Sequence, residues 1–318
     1  MITVVGFNTA IDRRVDLGAL QPGRVQRAVA AEARPGGKGL HVAETVAALG
    51  EPVTLVGLTD AAHADALRNR LHTRGVEWRP VHTARPLRQC LAIHEADGRV
   101  TEILEPGATL DSAIREALLG AVRSALDESN VLVFSGSLPR GFASDTYAGL
   151  IREASARGVR CLLDASGEAL REGIVARPWL VKPNVDEAAS LLGRRVDSMD
   201  DAVDCARELH RHGVARAVVT LGAAGAVGFD GEGLWRATSA PAEVRNSVGS
   251  GDCFLAGLAV GAVRDESIDV ALRRAVACGA ANAESADTGC VSLDRVAAWL
   301  PRVRVEAVPA GIGSRLHP

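Results

Sequence analysis

The chain reads as an α/β protein with a mostly parallel sheet, helices on both faces and a small antiparallel β-flap. Three observations lead there. Short apolar runs of strand length alternate with helical segments, the rhythm of βαβ units. Two stretches, 10–34 and 87–105, break that rhythm with strand-like fragments and turn residues. The 318 residues are 47% hydrophobic and 24% charged, a globular balance with enough chain for a large core.

The elements follow in order. Residues 1–6 (Met-Ile-Thr-Val-Val-Gly) run straight into a strand pattern. Residues 10–34 hold strand fragments punctuated by Gly and Pro, and a helix then runs from the Gly36–Gly39 loop to Leu49. Residues 87–105 read as a hairpin, Leu87 to Glu95 and Arg99 to Glu105, around the turn Asp97-Gly98. Strands at 130–134 and 159–163 flank a helix at 144–157, with Ser144 as its expected N-cap. A short strand at 179–182 leads into a helix at 185–192; a helix at 200–212 and a strand at 216–220 follow. A last apolar helix starts near Asp252 and runs to about Val263. Extra antiparallel strands cannot easily join a parallel sheet, so they are expected as a flap over its carboxyl edge, where open α/β sheets bind ligands. The expected organisation is one domain, 1–308, with a loose tail at 309–318.

Composition excludes several classes. Lys plus Arg is 36 and Asp plus Glu is 39, a net charge of −3, which gives no footprint for nucleic acid. No run of 18 apolar residues offers a membrane span, and the N-terminus lacks a signal-peptide pattern. Six scattered cysteines without a C-x-x-C fit a reducing cytoplasm better than a disulfide framework or a zinc site. Only Lys38 and Lys182 are lysine among the 36 basic residues, so each raises the question whether an ammonium is needed there.

Five segments carry candidate chemistry. In Asn246-Ser247-Val248-Gly249-Ser250-Gly251-Asp252, glycines let backbone N–H groups converge at a helix N-terminus, an anion site. A carboxylate beside it suits proton removal from a hydroxyl that attacks a phosphoryl group. The same Asp252 also reads as a helix cap. Gly36-Gly37-Lys38-Gly39 suggests anion or sugar contact or a simple turn; it is not a Walker A loop, since Glu32 stands at its first Gly position. Asn184 and Glu187 have capping-box spacing and equally suit Mg²⁺ held through water. Thr220 to Ala226 is a hairpin turn or a nucleotide-approach loop, and Phe134 to Gly141 is a loop at a strand's carboxyl end. Arg88 and Arg140 can pair with a substrate phosphate.

Taken in their order along the chain, the segments resemble the ribokinase-like (PfkB) sugar kinases, in the branch of 1-phosphofructokinase, tagatose-6-phosphate kinase and ribokinase-type 6-phosphofructokinase. The resemblance covers roughly residues 1 to 305 and implies a three-layer α/β/α fold with a β-flap acting as lid. It implies Asp252 as base beside an anion hole of Gly249, Ser250 and Gly251, and a sugar site of Asp12, Gly37, Lys38 and His41. Arg88, with Arg140, would meet the sugar phosphate. Lys182, Asn184, Thr220, Gly222, Gly225 and Asn282 would line the ATP site, with Glu187 and Asn184 organising Mg²⁺. His41 departs from the branch, which has Asn there. The expected reaction is ATP-dependent phosphorylation of fructose 1-phosphate, tagatose 6-phosphate or fructose 6-phosphate to a bisphosphate, in an enzyme able to form a homodimer through its lid. Alternatives are a kinase of an unphosphorylated sugar or nucleoside, a non-catalytic sensor, and a dinucleotide oxidoreductase; the last is disfavoured because no G-x-G-x-x-G follows the first strand.

Overall fold

Each opening residue of β1 (Ile2–Gly6) is buried, as expected of a strand covered on both faces. The computed structural model describes residues 1–240, 242–289 and 291–309. After β1 come β2 (Ala10–Leu17), β3 (Ala30–Gly36), α1 (Lys38–Ala48), β4 (Val53–Thr59), α2 (Ala64–Thr73) and β5 (Glu77–His82). Then follow β6 (Arg88–Glu95), β7 (Val100–Leu104), α3 (Ser112–Leu126), β8 (Val131–Ser135), α4 (Thr146–Ser155), β9 (Arg160–Asp164), α5 (Gly167–Val175) and β10 (Leu180–Val181). The last part holds α6 (Val185–Leu192), α7 (Met199–Arg211), β11 (Arg216–Thr220), β12 (Ala226–Phe229), β13 (Leu234–Ser239), α8 (Ser250–Val263), α9 (Ile268–Ala283), α10 (Leu293–Trp299) and β14 (Val303–Ala307).

The main sheet has ten strands in the order β14-β13-β12-β11-β10-β9-β8-β1-β4-β5. It is parallel from β11 to β5 and antiparallel from β11 to β14. One set of helices, α1, α8, α9 and α10, packs together; α4, α5, α6 and α7 form another chain of contacts. Because β1 has β8 on one side and β4 on the other, connections leave it in both directions. That arrangement opens a crevice at the strands' carboxyl ends.

The flap is a separate four-stranded sheet, β3-β2-β6-β7. Its β6–β7 hairpin turns at Gly98, whose φ of 88° is a left-handed value that glycine adopts without strain. β2 pairs with β6 in parallel, which ties the two rhythm-breaking stretches into one lid.

Three local expectations needed adjustment. Helix α4 starts at Thr146 with Asp145, not Ser144, in the N-cap position, and no side chain caps it; instead the Thr146 hydroxyl donates to Ala143 O. The strand expected at 179–182 contracts to Leu180–Val181 because Pro183 brings no N–H to extend the ladder. Helix α7 begins at Met199, one residue early, behind a Ser198–Asp201 capping box. Of the expected tail, residues 310–318 lie outside the described residues.

Under the crevice, Phe7 stacks on Phe142 at 5.3 Å and Phe134 packs on Tyr147 at 5.1 Å, joining β1, β8 and α4. On the opposite side α8 meets α9 with almost no gap. A Cβ on Gly257 would lie 2.7 Å from Ala275 Cα, so a side chain there forces the helices apart. Gly257→Val should therefore lower stability by about 1–3 kcal/mol or more through overpacking. Gly149→Ala, in α4 with open space around it, should raise stability by up to about 1 kcal/mol. Denaturant midpoints of the two variants check the contrast.

Candidate active site

Two helix N-termini, those of α1 and α8, meet the carboxyl ends of the central strands. At α8 the chain turns through Gly249, whose φ is 81° and which caps the helix without a side chain. A Cβ there would approach Gly289 N to 2.7 Å, so both conformation and space require glycine. The amides of Gly249 and Gly251 have no acceptor among the described residues, whereas the Ser250 amide donates to Ser247 O at 3.2 Å. The donors left open to an anion at this helix N-terminus are thus the two glycine amides.

Asp252 is buried in the first turn of α8, and its carboxylate does not cap the helix. It faces His41 instead: Asp252 Oδ2 lies 3.0 Å from His41 Nδ1. The other ring nitrogen, Nε2, lies 2.9 Å from Asp12 Oδ2. Asp12 Oδ2 also accepts from the Gly37 amide at 3.3 Å, and a Cβ on Gly36 would collide with that carboxylate. Burial acts to raise the Asp12 pKa, but the His41 hydrogen bond and charge hold it below the ordinary carboxylate value. Burial also opposes charge on His41, yet hydrogen bonds from its ring to Asp12 and Asp252, with their charges, push its pKa up to about 10. Asp12 and His41 border a cavity of about 350 Å³ under the flap, lined also by Cys90, Glu102, Val248 and Thr288; Asp252 lies behind His41 and does not line it. Burial pushes the Cys90 thiol up to about 11, which leaves it a poor nucleophile at neutral pH. Glu102, on the lid strand β7, is raised by burial and by the Asp12 and Asp252 charges.

Both lysines converge on one residue that sequence reasoning missed. Lys182 Nζ lies 3.2 Å from Asp164 Oδ1, and the two side chains are 4% and 3% exposed. The Asp164 charge, working against burial and joined by Asp252 and Glu187, also holds the Lys38 ammonium well above its usual range. Asp164 ends β9 as an ordinary strand-terminal residue, and only the fold places it between two lysines 144 positions apart (182 − 38).

Asn184 and Glu187 form the capping box: Glu187 N donates to Asn184 Oδ1 and Asn184 N to Glu187 Oε2, both at 2.9 Å. The structural role is therefore real. It leaves Glu187 Oε1 uncommitted, and burial together with the Asp164 charge raises the Glu187 pKa, a field that a cation would relieve. Among the described residues, no group of three or more His, Cys, Asp or Glu could hold a metal. A Mg²⁺ here would draw most of its ligands from water and phosphate, as that ion commonly does.

Thr220 closes β11 and bridges to Asn184; its amide donates to Pro183 O at 3.0 Å. Gly222 and Gly225, with φ of 57° and 100°, shape the hairpin turn into β12, so the hairpin reading of this segment is the observed one. Asn282 departs from its expected place. It is fully buried behind the anion loop, donating to Val248 O at 2.9 Å and Ser250 Oγ at 3.0 Å, so it splints the loop rather than facing a nucleotide. Arg88 donates to Asn8 O at 3.1 Å and Glu105 O at 3.2 Å, beside a small recess shared with Lys38, and does not line the larger cavity. Arg140 is exposed at the end of the Ser135–Arg140 loop, also outside that cavity.

A family model described as pfkB family carbohydrate kinase matches residues 2–294. The chain belongs to this family. Among curated relatives, tagatose-6-phosphate kinase of Staphylococcus epidermidis is 30% identical over 299 residues, spanning 93% of this chain and 96% of the relative. Among solved structures, Escherichia coli phosphofructokinase-2 in complex with substrates and products superposes with a TM-score of 0.87 at 29% identity, covering 94% of this chain and 98% of that one. A possible 1-phosphofructokinase of Thermotoga maritima shares the fold, with a TM-score of 0.87 at 22% identity over 97% of this chain and 99% of that one. As a PfkB family member, the protein is a carbohydrate kinase with the ribokinase-like fold.

The buried Lys182–Asp164 pair gives a test of how this site is held. Lys182→Ala leaves a buried carboxylate with less compensation and should cost about 3–5 kcal/mol. The Asp164→Ala, Lys182→Ala double variant should recover part of that loss, as read from a double-mutant cycle of unfolding free energies.

Proposed function

We propose that the protein transfers the γ-phosphoryl group of ATP, with Mg²⁺, to a hydroxyl of a phosphorylated ketohexose: fructose 1-phosphate, tagatose 6-phosphate or fructose 6-phosphate. One observation supports this most: a buried carboxylate, Asp252, stands one residue after the free amide of Gly251 at the N-terminus of α8. The attacking sugar oxygen loses its proton to Asp252 as its bond to phosphorus forms. The bond from phosphorus to the bridging oxygen breaks, and ADP leaves with that electron pair. The Gly249 and Gly251 amides stabilise the negative charge on the moving phosphoryl group, with Ser250 holding the loop between them.

Asp12, Gly37, Lys38 and His41 form the sugar-facing wall. Lys182, Asn184, Thr220, Gly222 and Gly225 mark the strand ends toward the nucleotide, Asn282 supports the anion loop, and Glu187 with Asn184 organises Mg²⁺ through water. The cation would neutralise phosphate charge beside Asp164, where burial and then the Asp164 charge raise the Glu187 pKa. Arg88 and Arg140 reach the substrate phosphate in this reading, and Arg88 must exchange its carbonyl partners to do so.

Support for a phosphorylated sugar comes from the relatives, one named tagatose-6-phosphate kinase and another solved in complex with fructose-6-phosphate. The protein works as one domain over 1–308, in the cytoplasm; no described helix is long and apolar enough to cross a membrane. A homodimer would form through the lid, whose Ile103 and Leu104 are each 55% exposed. Escherichia coli phosphofructokinase-2 has a tetrameric inhibited form.

An ADP-release assay across fructose 1-phosphate, fructose 6-phosphate, tagatose 6-phosphate, fructose and ribose tests the reading. At least one ketohexose phosphate should exceed the free sugars in kcat/KM, and Arg88→Ala should remove most of that preference. Turnover of ribose or fructose alone would support the unphosphorylated-sugar reading instead. Asp252→Asn should lower kcat by roughly 10²-fold or more with little change in ATP affinity. Near-full activity in that variant would remove Asp252 from the base role.

A further inference from the structure

His41 departs from the family pattern, and its place in the sugar-facing wall does not account for its contact with Asp252. It sits in the first turns of α1 with its side chain 5% exposed, and each ring nitrogen faces a carboxylate oxygen within 3.0 Å. A neutral imidazole has one N–H and one bare lone pair, so it can donate to only one of the two carboxylates. An imidazolium donates to both. The surroundings fit a ring rather than the smaller Asn: a Cβ on Gly289 would collide with the imidazole, so Gly289 makes the room that the ring occupies. Gly289 in turn backs Gly249, the cap of the anion loop. The ring thus spans flap strand β2, helix α1 and helix α8.

We propose that His41 is a positioning residue: as an imidazolium it clamps Asp12 and Asp252 to one another and so fixes the sugar-orienting carboxylate relative to the proton-accepting one. The clamp uses Oδ2 of each carboxylate. Oδ1 of Asp12 remains for a sugar hydroxyl, and Oδ1 of Asp252 remains for the proton of the attacking hydroxyl. The kinetic part of this inference rests on the proposed base role of Asp252.

The charged groups around the ring are Asp12 from β2, Asp252 from α8 and Glu102 from β7, with Lys38 and Glu44 from α1 and Arg70 from α2; Arg70 is taken up by Glu44 in a bidentate pair. The two carboxylates bonded to the ring favour its charged form, and its pKa of about 10 agrees. Since this lies above the ordinary 6.5, the clamp's contribution to stability is complete below about pH 6.5 and is lost as pH rises through about 10.

The test is ¹⁵N NMR of the whole histidine-labelled enzyme without substrate, with His41→Asn assigning its signal among the eight histidines. Both His41 nitrogens should carry protons at pH 8, and Asp252→Asn or Asp12→Asn should move its titration down by at least one pH unit. Kinetically, His41→Asn should lower kcat at pH 7.5 by roughly ten- to hundredfold, the equivalent of one hydrogen bond to a charged group. The fall in wild-type kcat as pH rises through about 10 should be absent from that variant. A bare ring nitrogen at pH 8 in the wild-type enzyme would overturn the proposal, as would an unchanged kcat in His41→Asn. The NMR result needs no substrate, so failure of every sugar phosphate to release ADP would count against the proposed reaction and not against the clamp.

Discussion

The constraint on which the site depends is the balance of buried charge at the sheet's carboxyl edge. Asp252 and Asp164 are buried, and Asp12 is largely enclosed. Each carboxylate faces a basic group drawn from a different part of the chain: His41 lies between Asp12 and Asp252, and Lys182 pairs with Asp164. Buried charge without a partner costs several kcal/mol, so these pairs must form together as the domain folds. The scarcity of lysine then has a physical reading. Where 34 of 36 basic residues are Arg, one of the two lysines pairs with buried Asp164 and the other is held charged by the same carboxylate at longer range; a compact ammonium fits there where a planar guanidinium fork needs more room.

That charge cluster is held by close backbone approach. Gly36 lets Asp12 reach the N-terminus of α1, and Gly249 and Gly289 let the anion loop lie against the His41 ring. The donors left for a phosphoryl group are backbone amides on a helix fixed by the tight α8–α9 contact, so they need little reorganisation as charge develops. The lid strands contribute Asp12, Cys90 and Glu102 to one cavity, which His41 also lines.

Much of this was legible from the residues. The alternation of apolar runs announced the sheet, Asp97-Gly98 announced the flap hairpin, and the glycines before Asp252 announced the turn into α8. What stayed hidden depended on contacts between distant segments. Asp164 ends the run Cys161-Leu162-Leu163 as any strand residue might, and nothing local marks it as the partner of two lysines. The cap alternative for Asp252 was resolved only because His41, 211 positions away, takes its carboxylate. Asn282 shows the reverse case: the family resemblance places it at the nucleotide, while the fold turns it inward to brace Val248 and Ser250.

The central claim is that Asp252 receives the proton of the attacking hydroxyl beside the two free glycine amides. The most direct measurement is a crystal structure with a ketohexose phosphate and a non-hydrolysable ATP analogue. The account predicts an Asp252 oxygen at roughly 2.6–3.2 Å from a sugar hydroxyl that lies in line with the γ-phosphorus, with the Gly249 and Gly251 amides directed at the γ-phosphate oxygens. A sugar hydroxyl in line with that phosphorus but approached by some other side chain, with Asp252 beyond hydrogen-bond reach, would contradict it.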